Sequence, residues 1–355
     1  DVLIRGTKII DNVFGGGYGA GTDNPGANVG YLTDTERIAY GASLNDSTYK
    51  TAVVELMAGN VNNVYGGSNT KGDIRGGAKT NTVENLGEAG CCDSLTVQKI
   101  YGGGKNAPME GGAEIVLGCM PHDRIDEIYA GAENADVEND VSLTITSGQF
   151  GKVFGGNKSG GQLKGRIIVN IEECNVCSSP IVIDSLYGGG NRAPYSIYGY
   201  DKDGKPRTKN LYEAMTEGEK AAEGILEGPH ENPMVNIHGF TSIGTVFGGG
   251  LGEDAVMIGS PIVNIEEVIV DGKTQMGVIG DVFGGGNQAK VIGDTYVNVG
   301  TRVGEQIIFD VNGVTGQERE YKVLGADIRG NIYGGGNKAE VTGKTNVVIG
   351  KKKVE

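Results

Sequence analysis

The side chains that could bind a metal, pass electrons or relay a proton are few in this chain, and their spacing decides against each chemistry in turn. Five cysteines occur, Cys91, Cys92, Cys119, Cys174 and Cys177. They allow at most two disulfides and leave one thiol over. Cys174-Asn175-Val176-Cys177 has Cys-x-x-Cys spacing, but a zinc site needs a second such pair or histidines at ligand spacing, and a redox site needs a βαβ setting. Neither is present, so the cysteines read as core thiols or an incidental bridge. His122, His230 and His238 stand apart from one another and read as surface or loop residues. Asp201, Asp203 and Gly204 make a fragment of a calcium loop that lacks its downstream bidentate Glu; a plain turn is the better reading. Glu172-Glu173 and Glu266-Glu267 follow the equivalent runs Val169-Asn170-Ile171 and Val263-Asn264-Ile265, which makes them decoration of a repeat. The recurrent Gly-Gly-Gly would cradle phosphate only if a helix with Lys and Ser/Thr followed it, and none does. No catalytic residue, metal site or cofactor is assigned.

What recurs instead is a structural word. Nine times a β-branched or aliphatic residue precedes Phe or Tyr and then small residues, with the aromatic at Phe14, Tyr65, Tyr101, Tyr129, Phe154, Tyr187, Phe247, Phe283 and Tyr333. Fourteen residues after Tyr101, Tyr129, Phe283 and Tyr333 come Ile115, Leu143, Val297 and Val347. Each opens a run such as Val297-Asn298-Val299, whose period of two marks a strand with one buried face. A third apolar piece closed by Gly lies between, as in Ala289-Lys290-Val291-Ile292-Gly293. Three short strands and three turns need roughly 22 to 28 residues, close to the 25 between Tyr129 and Phe154. A unit that small cannot bury its apolar residues alone and must stack. The expected fold is all-β: a single-stranded parallel β-helix, a solenoid with about three short strands per coil, with 1-355 as one elongated domain. The aromatics are expected to stack in register inside the solenoid or at one of its corners. The Gly tracts are expected to supply positive φ at the corners. Asn157, Asn191, Asn287 and Asn337 after the tracts are expected to bond their equivalents one coil away.

Gly makes up 64 of 355 residues without a collagen period, and 38% of residues are hydrophobic and patterned, so neither collagen nor disorder fits. Net charge is −14, which argues against nucleic-acid and anionic-membrane partners. No apolar stretch reaches 18 residues, so no transmembrane helix is expected; the sequence starts at Asp1 without a signal peptide, as a mature or excised segment would. Breaks in the repeat spacing locate insertions near 18-52, 195-232 and 302-325. The last reads as a hairpin with arms Ile307-Ile308-Phe309 and Tyr321-Lys322-Val323-Leu324. The longest carries Tyr195, Tyr198, Tyr200 and Tyr212, a turn at Asp201–Pro206 and one short helix toward Glu223. Loops added to a rigid frame are common binding sites, and tyrosines give contact area at low entropic cost. These four are the candidate ligand residues, with packing of the loop on the wall as the alternative.

The pattern Val-Phe/Tyr-Gly-Gly-Gly-Asn followed by Val-x-Gly-x-Thr-x-Val-x-Ile, seen at 282 to 299 with Val299 in the last place and at 332 to 349 with Ile332 in the first, resembles the repeats of large exported β-helix proteins of anaerobic gut bacteria. The resemblance implies a secreted or cell-surface, non-enzymatic, adhesin-like scaffold that displays loops toward carbohydrate or a host or cell-surface protein. The alternative is a polysaccharide-active lyase or glycoside hydrolase with its site beside the 195-232 insertion, where two carboxylates and a base would have to meet.

Overall fold

The computed structural model describes residues 1–19, 27–29, 49–83, 94–119, 124–173, 177, 179–223, 231–266, 268–269, 277–300, 306–310, 318–323 and 327–350. The alternating runs form strands, and strands of the same type in successive repeats pair with one another. One ten-stranded sheet runs Val2–Ile4, Ala52–Leu56, Ala78–Thr82, Ala113–Leu117, Val141–Ile145, Ile167–Glu172, Met234–Gly239, Ile262–Ile265, Thr295–Val299, Thr345–Ile349. The strands that end in the aromatic word form a second sheet, from Ile10–Phe14 through Gly59–Tyr65, Leu95–Tyr101 and onward to Val278–Phe283, on which Asp327–Ile328 and Ile332–Tyr333 pair. Every pairing in both sheets is parallel. The protein is thus mostly β, in long parallel sheets compatible with a parallel β-helix.

The third strand of each unit is smaller than its sequence suggests. Tyr195–Ser196, Met257–Ile258 and Val291–Ile292 pair as two-residue strands. In other repeats the same column is a single bridge, as at Met109↔Val137 and Val137↔Leu163. In chain order Ile167–Glu172, Val182–Tyr187 and Tyr195–Ser196 precede Met234–Gly239, which pairs with the first of them.

The pleat sorts the side chains. In Val141–Ile145 the alternate residues Val141, Leu143 and Ile145 are fully buried in the main aliphatic core. At the end of each second-sheet strand from Gly59–Tyr65 to Val278–Phe283 two consecutive residues are buried. Ile128 enters the aliphatic core, while its neighbour Tyr129 faces the other way into a separate aromatic cluster. Burial on both faces at this corner requires that the chain after the aromatic fold back closely, which is where glycine acts.

The tract glycines do not supply positive φ. Those that do lie elsewhere, at Gly59 (φ 113°), Gly148 (φ 113°) and Gly161 (φ 75°) among others. The tracts serve close backbone approach between repeats instead. A Cβ on Gly66 would lie 2.2 Å from the Gly102 carbonyl oxygen, and one on Gly248 2.3 Å from that of Gly284. Their amides continue the ladder, with Gly66 N–H donating to the Tyr101 carbonyl at 2.9 Å and Gly67 N–H to that of Gly103 at 3.0 Å.

Gln306–Asp310 and Glu318–Val323 pair antiparallel, and the latter also pairs with Val268–Ile269. Between Tyr195 and Met234 lie two short helices, Lys209–Ala214 and Glu217–Ala222. Thr208 caps the first; Thr216 and Glu219 form a reciprocal capping box on the second. Most of the insertion expected at 18-52 lies outside the described residues.

Candidate functional site

The nine aromatics form one continuous column. Ring centroids from Phe14 to Tyr333 are separated by 4.7 to 5.2 Å and interplanar angles stay between 2° and 13°. Strand spacing forces this separation, since identical positions on paired parallel strands sit one ladder step apart. Tyr101, Tyr129 and Phe154 have no exposed surface.

Buried phenols need partners, and these come from a fixed offset that the sequence pattern did not reveal in advance. The Tyr65 hydroxyl donates to Glu133 Oε2 at 2.6 Å, Lys158 Nζ donates to the Tyr101 hydroxyl at 3.0 Å, and Asn191 Nδ2 to that of Tyr129 at 3.1 Å. Tyr187 is met by Asn287 in the same way. In every case the partner stands four residues after the aromatic of the second repeat onward. Where the ring is Phe154 and lacks a hydroxyl, that position holds Leu251, which packs on the column. Lys158 also donates to Glu133 at 2.8 Å. Burial would raise the Glu133 carboxyl, but hydrogen bonds from Lys158 and Tyr65 and the lysine charge outweigh it and hold the group below the usual carboxylate range. Burial pushes Tyr65, Tyr101 and Tyr129 well above the ordinary phenol value, so they stay neutral hydrogen-bonding groups.

The asparagines after the Gly tracts divide. Asn337 donates to Asn287 at 2.9 Å, like to like as expected. Asn157 instead accepts from the Ala132 N–H at 2.8 Å and donates to the Ala135 carbonyl at 3.0 Å. The longer asparagine ladder is on the first sheet, where Asn170, Asn236, Asn264 and Asn298 bond in sequence at 3.0, 2.9 and 2.9 Å.

Of the four tyrosines of the longest insertion, Tyr198 and Tyr212 are brought into contact, and Tyr195, Tyr200 and Tyr212 are buried. Tyr195 is 2% exposed and donates to the Gly165 carbonyl at 2.9 Å; Tyr200 is 7% exposed and donates to that of Pro194 at 2.9 Å. Tyr212, 6% exposed, lies 5.6 Å from Tyr198 and under Lys220 Nζ at 4.4 Å. Tyr198 alone of the four is partly exposed. Buried Arg207 pairs with Glu223 and ties the second helix to the frame. Asp201 closes a turn by accepting from the N–H groups of Asp203 and Lys205 at 2.9 and 2.8 Å. The Lys205 N–H bond above all holds its carboxyl below the usual range.

Three other readings are corrected or completed. His238 is a strand residue, its side chain 12% exposed and 3.7 Å from Glu172; His122 and His230 lie outside the described residues. Glu173 accepts from the Ile181 N–H at 2.8 Å and from Thr241 Oγ1 at 2.9 Å, and Glu266 is 2% exposed; both are structural, where decoration was expected. Cys177 of the Cys-x-x-Cys segment is disulfide-bonded to Cys119. Among the described residues no group of His, Cys, Asp and Glu is arranged to hold a metal ion. No described helix is long and apolar enough to cross a membrane.

A shallow groove on the outer face of the first sheet is lined by Thr51, Lys79, Glu114, Asp140 and Ser142. Glu114 is paired to Lys79 at 3.0 Å and Asp140 to Arg166 at 3.2 Å, which gives both carboxylates cross-strand partners. Arg166 also pairs with Glu231 at 2.6 Å, so the Asp140 end of the groove adjoins the end of the 195-232 insertion. No protein-family model matches the chain, and no curated protein or solved structure matches it.

Proposed function

We propose that the chain is a single-stranded parallel β-helix that serves as a non-enzymatic scaffold, secreted or held at a cell surface, and carries loops toward carbohydrate or a cell-surface protein. The observation that carries this reading is the unbroken register of the ring column. Eight steps of 4.7 to 5.2 Å make a stiff rise of about 39 Å at one strand spacing per repeat. A polymer of identical contacts resists bending, and an insertion anchored in it keeps its height along the axis. The Cys119–Cys177 bridge supports an oxidising compartment, and the resemblance of the Gly-Gly-Gly-Asn word to exported β-helix repeats points the same way.

The test treats intact producing cells with a non-penetrating protease and incubates the purified protein with a panel of surface polysaccharides. Cleavage on intact cells and retention of a polysaccharide at unchanged chain length are expected. Protection of the protein inside intact cells would refute the surface assignment, and shortening of a polysaccharide would replace the scaffold by the enzyme reading.

A further inference from the structure

The outer face of the first sheet changes character along the protein. Alternate residues of each strand point outward and line up with their register partners in two columns. In the earlier repeats these columns hold the charged residues Glu55, Lys79 and Glu114. From Ser142 and Thr144 to Tyr296 and Asn298 no charge enters either column. One becomes apolar, through Ile168, Met234, Ile262 and Tyr296. The other is the asparagine ladder of Asn170, Asn236, Asn264 and Asn298. All eight keep part of their surface exposed, because the pleat sends their neighbours Val169, Val235, Val263 and Val297 into the core instead. The chain as a whole carries a net charge of −14, and this tract has no share in it.

We propose that this face binds a neutral linear polysaccharide, which lies across the strands and along the direction in which the repeats stack. The proposal rests on the scaffold reading and moves the contact from the loops to the sheet. Within the ladder Asn236 and Asn264 each donate one N–H and accept one, at 2.9 to 3.0 Å. A side-chain amide has two N–H groups and two acceptor sites, so a donor and an acceptor remain on each and recur at about 4.8 Å, one strand spacing. A polymer of hydroxyl-bearing rings answers such a row, since every hydroxyl both donates and accepts. The apolar column beside it suits the C–H face of a sugar ring. Tyr296 adds an aromatic plane, its hydroxyl held 3.4 Å from Asp294. A polyanion or a basic peptide finds no opposite charge on this tract, and the acidic chain repels the polyanion. A second copy of the chain is excluded by size. Four strands at about 4.8 Å, with about 13 Å of outward residues along each, give roughly 250 Å², against roughly 800 Å² per partner in a stable protein interface. At one end the tract runs on into a concavity: Ser142, the register partner of Ile168, lines the groove beside Lys79 and Glu114. Gly77 and Gly112 put no side chain there, which leaves room for the polymer to continue.

Affinity electrophoresis of the purified chain through gels containing neutral glucan, mannan or xylan, or anionic polygalacturonate, tests this. At least one neutral polymer should retard the protein, and polygalacturonate should not. Tyr296→Ala and Ile262→Lys should each weaken the retardation at least about tenfold in Kd. Lys152→Ala, on the outer face of the second sheet, should leave it unchanged. Both tract positions point outward, so the melting temperatures should hold, and Tyr296→Phe, which keeps the ring, should keep the binding; a variant lost through misfolding is told apart in this way. Retardation by none of the neutral polymers, equal retardation by polygalacturonate, or retardation indifferent to Tyr296→Ala and Ile262→Lys would overturn the proposal. Loss of binding with Tyr198→Ala instead would overturn it by returning the contact to the insertion. Self-association that Ile262→Lys abolishes would give the face to a second copy and overturn it equally. Shortening of a retained polymer would refute the scaffold reading alone, since the tract variants would still report where the polymer lies.

Discussion

The phenols of Tyr65, Tyr101, Tyr129 and Tyr187 are polar groups in an apolar corner, each tolerated because a named side chain meets it. Glu133 is the most exacting of these, since it accepts from both Tyr65 and Lys158. Its carboxyl is held below the usual range, so its folded-state affinity for protons is weaker than in the unfolded chain. The stability it contributes is complete above the ordinary carboxylate value and is lost as pH falls through its lowered folded value. Glu133→Gln should therefore lower the melting temperature at neutral pH and flatten its decline in acid; parallel melting curves for wild type and variant from pH 7 downward would contradict this. Phe154 carries no polar tip and is fully buried between Tyr129 and Tyr187. Phe154→Ala should cost about 3 to 5 kcal/mol by loss of transfer energy and formation of a cavity, measured by denaturant unfolding. A midpoint that does not move would show that the column collapses to fill the gap.

At the scale of the element, the decisive feature is the glycine that lets one repeat lie against the next. Gly248 sits between Gly188 and Gly284, and its added Cβ would come within 2.3 Å of the Gly284 carbonyl. Because a strand ladder cannot widen at one rung without disturbing the next, Gly248→Ala should destabilise by about 1 to 3 kcal/mol, although its φ is open to alanine. The repeat at Ile128-Tyr129-Ala130-Gly131 already carries Ala at this place, and there the Ala130 N–H still donates to the Phe154 carbonyl at 2.9 Å. Substitution at Gly248 with no change in unfolding midpoint would mean that the stack expands freely, and the close-approach account of the tracts would fall. The helices between Tyr195 and Met234 are held by another logic. Each is too short to persist alone, and Tyr212 under Lys220 together with the Arg207–Glu223 pair fastens them.

For the whole molecule, stability is a sum of similar interfaces between neighbours. Val347 and Ile349 are exposed, whereas Val141, Leu143 and Ile145 are fully buried. Hydrogen exchange should therefore be fastest at Thr345–Ile349 and slowest in central strands such as Val141–Ile145 and Ile167–Glu172, with a gradient between them. Uniform protection along the chain in dilute solution would contradict nearest-neighbour stacking.

The sequence by itself determined the period, the alternation and the ring column. Period-two burial and a recurring aromatic are local facts, and parallel stacking at fixed spacing follows from them: Phe14 through Tyr333 had to align once Val297-Asn298-Val299 and its equivalents paired. Tertiary structure decided what each of those residues does there. The glycine tracts could equally have met a demand for positive φ or for close approach, and only the distance between repeats chose the second. Tyr195, Tyr200 and Tyr212 have the same composition whether they face a ligand or a backbone carbonyl; their burial against Gly165, Pro194 and the helices depends on contacts between residues far apart in the chain. The partners Glu133, Lys158 and Asn191 were hidden for the same reason. Their rings lie two repeats away, a separation set by how far a tyrosine reaches across the ladder, which no local pattern encodes.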